Sequence, residues 1–351
     1  MSELKKYLQQ AVEAQASDLF FVAGGPVSVK LEGHLRPISG EKLLPPDTQA
    51  LISEIYELAG RPMENYLATG DDDFSFALAG LARFRVNTYR QRGSMAAVIR
   101  IVAFSVPDWR ALGIPEPVME LSQLGHGMVI VTGTAGSGKS TTQACIIDRI
   151  NHSRDCHIIT LEDPIEYLHR NDRSIVSQRE IAIDTADCLS ALRSCLRQAP
   201  DVILLGEMRD TETIRTAMTA AETGHLVIST LHTRGAANAI DRMIDAFPAS
   251  QQVQARIQLS MVLDTVVSQQ LLPGTEGDLI PAFEILKMTP AARSLVREGK
   301  THQLAGVMSG GADHGMCSMD QSIISLYREG RISRESALEY ADSPEMLERR
   351  L

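Results

Sequence analysis

The stretch Met128-Val-Ile-Val-Thr-Gly133-Thr-Ala-Gly-Ser-Gly-Lys139-Ser140-Thr-Thr-Gln-Ala-Cys-Ile-Ile holds an apolar run, a glycine-rich turn and a helical pattern, in that order. A short apolar run of this kind suits a strand buried on both faces, as in a parallel sheet. Gly133-Thr134-Ala135-Gly136-Ser137-Gly138-Lys139-Ser140 fits GxxxxGK[ST], and a strand before it with a helix after it is the context a phosphate loop requires. The glycines let main-chain N–H groups wrap a phosphate, and the helix N-terminus adds partial positive charge. Lys139 is the cation expected at the β- and γ-phosphates, and Ser140 the hydroxyl expected on Mg²⁺. Nucleotide binding follows from these residues together.

Working outward, His157-Ile-Ile-Thr-Leu, Val202-Ile-Leu-Leu and Leu226-Val-Ile-Ser-Thr-Leu are further apolar runs separated by helical stretches. Alternating β and α signals of this texture predict a doubly wound α/β domain. Beyond about residue 250 the pattern reads as mostly helical, over 251–271, 290–299 and 318–330. Upstream, residues 4–101 mix short helices with strands of alternating polarity, around Asp18-Leu-Phe-Phe, Val27-Ser-Val-Lys-Leu, Phe74-Ser-Phe-Ala-Leu, Arg83-Phe-Arg-Val and Met95-Ala-Ala-Val-Ile. A small α+β domain with an antiparallel sheet is the expectation there. Residues 103–118 carry Pro107, Pro115, Pro117 and the sole tryptophan, Trp109, with little periodicity. They read as a linker, equally a hinge or a fixed loop. The expected division is 1–102, 103–118 and 119–351.

With 351 residues, 44% of them hydrophobic and 22% charged, the chain has material for two cored domains, which excludes wholesale disorder. Its 34 basic and 44 acidic side chains leave a net charge of −10, so no broad attraction to nucleic acid is expected. No apolar run reaches the length of a membrane span, and the first residues read as an amphipathic helix rather than a signal peptide. The five cysteines are odd in number and never spaced CxxC, which argues against a disulfide framework or zinc ribbon and for a reduced, cytoplasmic compartment. Cys188 and Cys195 read as small core residues.

Three further boxes carry chemistry. Asp201-Val-Ile-Leu-Leu-Gly206-Glu207 is an apolar strand that delivers a carboxylate to its C-terminal edge, where α/β sheets bind ligands. Gly206 stands where an acid usually follows the strand, so Glu207 is left to act on Mg²⁺ or its water. Leu161-Glu162-Asp163-Pro164-Ile-Glu166 sets three acids after another strand, and one of them can orient the water that attacks a γ-phosphate. Gly224-His225-Leu-Val-Ile-Ser-Thr-Leu-His232-Thr233 brackets a strand with histidines. His232 lies at the edge where the ligand would sit, and His225 at the structural end. Arg83, Arg85, Arg90, Arg92 and Arg100 crowd two strands of the first domain, either as a solvated face or as cations for transition-state charge.

In order and spacing these boxes resemble the secretion-superfamily ATPases, most closely the type IV pilus retraction ATPases of the twitching-motility PilT/PilU type, from Ala16-Ser-Asp-Leu to the C-terminal helices. The resemblance implies a PAS-like N-terminal domain joined to a RecA-like domain, a homohexameric ring, ATP with Mg²⁺ in the cleft between domains, and closure that drives a motor. It places Gly136, Gly138, Lys139, Ser140 and Thr141 on the phosphate loop, Glu162 on the general base and Glu207 on the Walker B glutamate. It also places His232 on the phosphate-side histidine, and Arg85 and Arg100 on the arginines that reach the γ-phosphate. Implied partners are an inner-membrane platform protein, the pilus machinery and a sister ATPase, met peripherally at the cytoplasmic face of the inner membrane, with no nucleic acid.

The chain lacks the long N-terminal extension and tetracysteine insertion of assembly-type ATPases, and Ala291-Ala-Arg-Ser-Leu-Val-Arg-Glu298 looks like the retraction motif AIRNLIRE with three replacements. Thr134-Ala135 replaces the usual Pro-Thr of the loop, at positions that need no side chain for phosphate contact. The expected function is an ATPase motor of pilus retraction. The alternatives are an accessory ring subunit for a sister motor or a conjugation-type or type II secretion translocase.

Overall fold

The computed structural model describes residues 2–31, 33–102, 106–311 and 314–351. The chain forms two compact units, residues 1–105 with 166–168, and residues 106–165 with 169–351.

The first unit runs α1 (Glu3–Glu13), β1 (Asp18–Phe21), β2 (Pro26–Leu31), β3 (His34–Lys42), α2 (Pro45–Ala59), α3 (Glu64–Thr69), β4 (Asp71–Leu78), β5 (Ala82–Gln91) and β6 (Ser94–Val102). Its six strands are ordered β3-β2-β1-β6-β5-β4, and each neighbouring pair is antiparallel. Alternation along β5 and β6 sends Phe84, Val86 and Ile99 to one face, where they are fully buried with Leu4 and Leu8 of α1 and Ile52 and Ile55 of α2. The β5–β6 turn has φ of +48° at Arg92 and +80° at Gly93, the paired positive values of a tight hairpin, with glycine at the second position. β3 is an edge strand whose Pro37 and Gly40 erase the alternation, so the sequence carries no strand pattern there.

One polar cluster holds this unit's buried side together. Asp72 is almost wholly buried and accepts from Arg61 Nε and Nη2 at 2.9 Å each, Tyr56 Oη at 3.1 Å and Asn65 Nδ2 at 3.3 Å. Burial works to raise the Asp72 pKa, but the hydrogen bonds from Arg61, Tyr56 and Asn65 outweigh it and hold the carboxyl below its ordinary range.

The second unit contains α4 (Glu116–Met119), β7 (Gly127–Thr132), α5 (Lys139–Ser153), β8 (His157–Glu162), β9 (Ile175–Glu180), α6 (Cys188–Cys195), β10 (Val202–Leu205), α7 (Thr211–Glu222), β11 (Leu226–Leu231), α8 (Ala236–Asp245) and α9 (Gln252–Val262). It continues with β12 (Leu263–Pro273), β13 (Leu279–Lys287), α10 (Pro290–Arg297), α11 (Leu304–Ser309), α12 (Met319–Arg328), α13 (Arg334–Tyr340) and α14 (Pro344–Glu348). The sheet order is β13-β12-β7-β11-β10-β8-β9, parallel throughout except for the antiparallel β12–β13 pair. Both faces are covered, as the apolar runs predict. Val129, Ile158, Val202 and Ile228 face Ile146, Ile147 and Ile150 of α5. Met128, Ile130, Ile203 and Val227 face Ile214 and Ala217 of α7 and Ile240 and Met243 of α8.

The reading of 251–271 as helical is corrected. The helix ends at Val262, Leu263 turns extended, and β12 then pairs in parallel with β7. β12 is buried on both faces, yet its sequence mixes apolar residues with Asp264, Thr265, Ser268, Gln269 and Gln270, so it shows neither the alternation of a half-buried strand nor the unbroken apolar run of a fully buried one. Of the expected linker, residues 103–105 lie outside the described residues. From Val106 onward, Trp109, Leu112, Ile114 and Val118 pack onto the α5 side of the second unit. The Trp109 ring lies 4.3 Å from the Arg110 guanidinium and 5.6 Å from that of Arg149.

All five cysteines are free thiols, and burial pushes Cys188 and Cys195 up to about 11. Among the described residues, no helix is long and apolar enough to cross a membrane.

Replacing Asp72 by Ala leaves the Arg61 charge and the Tyr56 hydroxyl without their buried acceptor, at a cost of about 3 kcal/mol. Because the folded carboxyl titrates below its unfolded value, its contribution is complete above the ordinary carboxylate range and is lost as pH falls through the lowered value. Hydrogen exchange on the full chain checks this: β4 and β5 lose protection in the variant, while β7, β10 and β11 keep theirs.

Candidate active site

Strands β7, β11, β10 and β8 are parallel neighbours, so their C-terminal ends open on one edge of the sheet. Register pairs Thr132 with Leu231, Ser229 with Leu205, and Leu205 with Leu161. The residues that follow are Gly133, His232, Glu207 and Glu162. The sheet thus collects on one edge four boxes spread over about a hundred residues of chain.

The phosphate loop is shaped by what presses on it. A Cβ at Gly133, where φ is +148°, would collide with the main-chain oxygen of Gln269 and come within 2.6 Å of Ser137 Oγ. A Cβ at Gly138, where φ is +86°, would sit 2.9 Å from Gln269 Nε2. Gln269 is itself fixed, accepting at Oε1 from Thr142 Oγ1 at 2.7 Å. Gly136, with φ of +77°, has open space around it. Gln269 lies on β12, inside the stretch that periodicity misread, and its role depends on a strand pairing that no local pattern reveals. The β-branched run Thr265-Val266-Val267 is a local signal that favours a strand there.

Lys139 is buried and donates from Nζ to the Gly133 and Thr134 carbonyls at 2.8 Å each, so its charge is held inside the loop. Ser140 and Thr141 form the first turn of α5. Ser137 Oγ is buried with no protein hydrogen-bond partner, so the loop holds an unsatisfied hydroxyl besides its main-chain N–H groups. These features fit an anionic phosphate group. Among the described residues, no cluster of three or more His, Cys, Asp or Glu side chains would hold a metal alone. A hydroxyl at Ser140 and a carboxylate at Glu207 are hard oxygen donors that suit Mg²⁺ completed by phosphates and water.

Glu207 is engaged at both oxygens. Oε2 lies 2.8 Å from His232 Nε2, and Oε1 pairs with Arg209 Nε. Burial, with the charges of Lys139 and Arg209, lowers the His232 pKa, so the ring is neutral at pH 7. A carboxylate only accepts, so the ring proton sits on Nε2 and is donated to Glu207. Thr132 Oγ1 donates to the Thr233 carbonyl at 2.6 Å, and the two hydroxyls lie 2.9 Å apart, tying the end of β7 to the histidine box. At the other end of β11, His225 Nδ1 bonds the Ala220 carbonyl at 2.9 Å, a structural contact.

Glu162 closes β8. Thr160 Oγ1 donates to its Oε1 at 2.6 Å and Gln178 Nε2 at 3.2 Å. Sequence reasoning singled out neither donor. It also missed Thr132, Thr142, Arg209 and Gln269, polar residues whose meaning lies in their cross-strand neighbours.

On the first unit, Arg85 and Arg100 are directly opposed across β5 and β6, on the face away from Phe84 and Ile99. Arg85 binds Asp73 through two contacts, Nε at 3.2 Å and Nη2 at 2.7 Å, and Arg100 Nε binds Asp18 at 3.0 Å.

The crowding around the loop grades its glycines. Gly133→Ala should weaken binding of a fluorescent ADP analogue by about 100-fold, for about 3 kcal/mol of strain. Gly136→Ala, strained only by its positive φ, should cost about 1 kcal/mol, or about fivefold. Equal losses in the two variants would show that Gln269 does not shape the loop.

Comparison with known proteins identifies the family of the chain. Residues 1–303 match the family model described as Type II/IV secretion system protein. The chain is 43% identical to the type IV pilus retractation ATPase PilT of Pseudomonas aeruginosa, over 98% of this chain and 99% of that one. It is 39% identical to the type IV pilus ATPase PilU of the same organism, over 97% and 89%. A crystal structure titled as the pilus retraction motor PilT with bound ADP superposes with a TM-score of 0.91 at 43% identity, covering 99% of both chains. This protein belongs to the Type II/IV secretion system protein family.

Proposed function

We propose that this chain is an ATP hydrolase working as a homohexameric, Mg²⁺-dependent motor that powers type IV pilus retraction. The observation that carries the reading is the convergence of the phosphate loop, Glu162, Glu207 and His232 on one sheet edge. The chain that holds it matches a pilus retraction ATPase along 98% of its length.

In this reading Glu162 orients the attacking water and takes its proton. Lys139 leaves its loop carbonyls for the β- and γ-phosphates. Ser140 and Glu207 hold Mg²⁺, and the engagement of both Glu207 oxygens favours contact through water. Bound there, Mg²⁺ supplies Lewis-acid polarisation of the phosphates. His232 donates to Glu207 and so ties the histidine box to the nucleotide's state. Arg85 and Arg100 supply charge to the γ-phosphoryl group. Two arginines directly opposed across a sheet repel each other, and Asp73 and Asp18 offset that repulsion, an arrangement suited to an anion. The ring meets an inner-membrane platform protein of the pilus machinery peripherally, at the cytoplasmic face, alongside a sister ATPase.

Phosphate release by the purified ring with Mg²⁺-ATP is the test. Lys139→Ala should abolish turnover, and Arg85→Ala and Arg100→Ala should each lower it by at least about 100-fold. Wild-type rates in both arginine variants would remove them from the mechanism. An intact ring without turnover would instead favour the accessory-subunit reading. A turnover-competent motor should restore twitching to cells lacking their retraction ATPase, and Lys139→Ala should not.

A further inference from the structure

We infer that Gln178 is a positioning residue for the general base: with Thr160, it clamps Glu162 Oε1 and so sets the direction from which that carboxylate meets water. The inference rests on the reading of Glu162 as the base.

The geometry begins with strand register. β8 and β9 are parallel, and Thr160 on β8 is the Cα partner of Gln178 on β9. Glu162 lies two residues beyond Thr160, so alternation puts both side chains on the face that Gln178 shares. Thr160 Oγ1 reaches Oε1 at 2.6 Å, and Gln178 Nε2 reaches the same atom at 3.2 Å. Two donors converging on one oxygen fix the rotation of the carboxylate plane, and thereby the position of Oε2.

The orientation of the Gln178 amide is determined independently. The main-chain N–H of His169 points to Gln178 Oε1 at 2.8 Å. A main-chain N–H only donates, so the atom facing it must be the amide oxygen, and the NH₂ group must face the other way. A carboxylate only accepts, so Glu162 requires that same NH₂ group. Both ends of the amide therefore agree on one orientation. Reversal would set N–H against N–H at one end and oxygen against carboxylate at the other.

The loop that supplies His169 is also anchored. Asn151, in the last turns of α5, donates from Nδ2 to the Arg170 carbonyl at 2.7 Å and accepts at Oδ1 from the Asp172 N–H at 3.2 Å. The amide that orients Glu162 is thus held by a loop pinned to the helix that begins at the phosphate loop. Gln178 binds the carboxylate of Glu162, so in this inference it governs the chemical step and leaves nucleotide binding alone.

The test uses the full-length ring with Mg²⁺-ATP. Gln178→Met keeps the length of the side chain and removes its hydrogen bonds, and Thr160→Val keeps the shape and removes the hydroxyl. Each should lower kcat by about 10- to 100-fold while KM and ADP-analogue affinity stay within about twofold. In the Glu162→Gln background, Gln178→Met should produce no further loss, because the group it positions is gone. Unchanged kcat in Gln178→Met overturns the inference. So does a parallel loss of kcat and nucleotide affinity, which marks Gln178 as a structural prop. If Glu162→Gln itself hydrolyses ATP at the wild-type rate, the base assignment fails and the clamp falls with it. That result is distinct from a dead Glu162→Gln beside a fully active Gln178→Met.

Discussion

The main-chain ladder of the parallel sheet is the constraint from which the site follows. Hydrogen bonding sets β7, β11, β10 and β8 side by side in one direction, so the residues leaving each strand must emerge at the same edge. Neither the phosphate loop nor the acids need any direct attraction to be neighbours. Their order along the edge, with Gly133 then His232 then Glu207 then Glu162, is the strand order. Burying both faces under helices fixes the register, because a slip by one residue would exchange the α5-facing and α7-facing sets of side chains. The placement of these four residues therefore rests on the register of the core beneath them.

What could be read beforehand had a local physical cause. The phosphate loop shows in sequence because main-chain wrapping demands glycines at set positions. The acids at strand ends show because an apolar run stops at a charge. β12 does not show, although it walls the loop through Gln269, because buried polar residues (Thr265, Ser268, Gln269 and Gln270) break up the apolar run that marks the other doubly buried strands. Gln178, Thr160 and Thr142 were invisible for another reason. A lone glutamine or threonine has no spacing of its own, and its partner is chosen by cross-strand register. The Arg85–Arg100 opposition lies between these cases: alternation puts each on the polar face, but only register makes them a pair.

That pair shows how this first unit divides its work between faces. The buried face is satisfied by apolar packing and by the closed Asp72 cluster, where every named donor meets one carboxylate. The other face sets two guanidiniums opposite each other, with Asp73 bound to Arg85 and Asp18 to Arg100. Side-chain exposures of 37% for Arg85 and 67% for Arg100 leave both guanidiniums open to water, while the Asp18 carboxylate paired with Arg100 is only 8% exposed. Asp72 differs in the number of its donors: its carboxylate, 4% exposed, accepts from Arg61, Tyr56 and Asn65 together, so its loss leaves several donors unmet.

A similar economy links the two ends of α5. Its N-terminus carries Lys139 and the turn that grips phosphate, and near its C-terminus Asn151 pins the loop after β8. The phosphate loop and the loop after β8 are thus fastened to opposite ends of one helix. The loop holds Gln178, and Gln178 holds Glu162. Glu162 and the phosphate loop are therefore tied to one helix as well as to one sheet edge, through a short series of hydrogen bonds each with a named donor and acceptor.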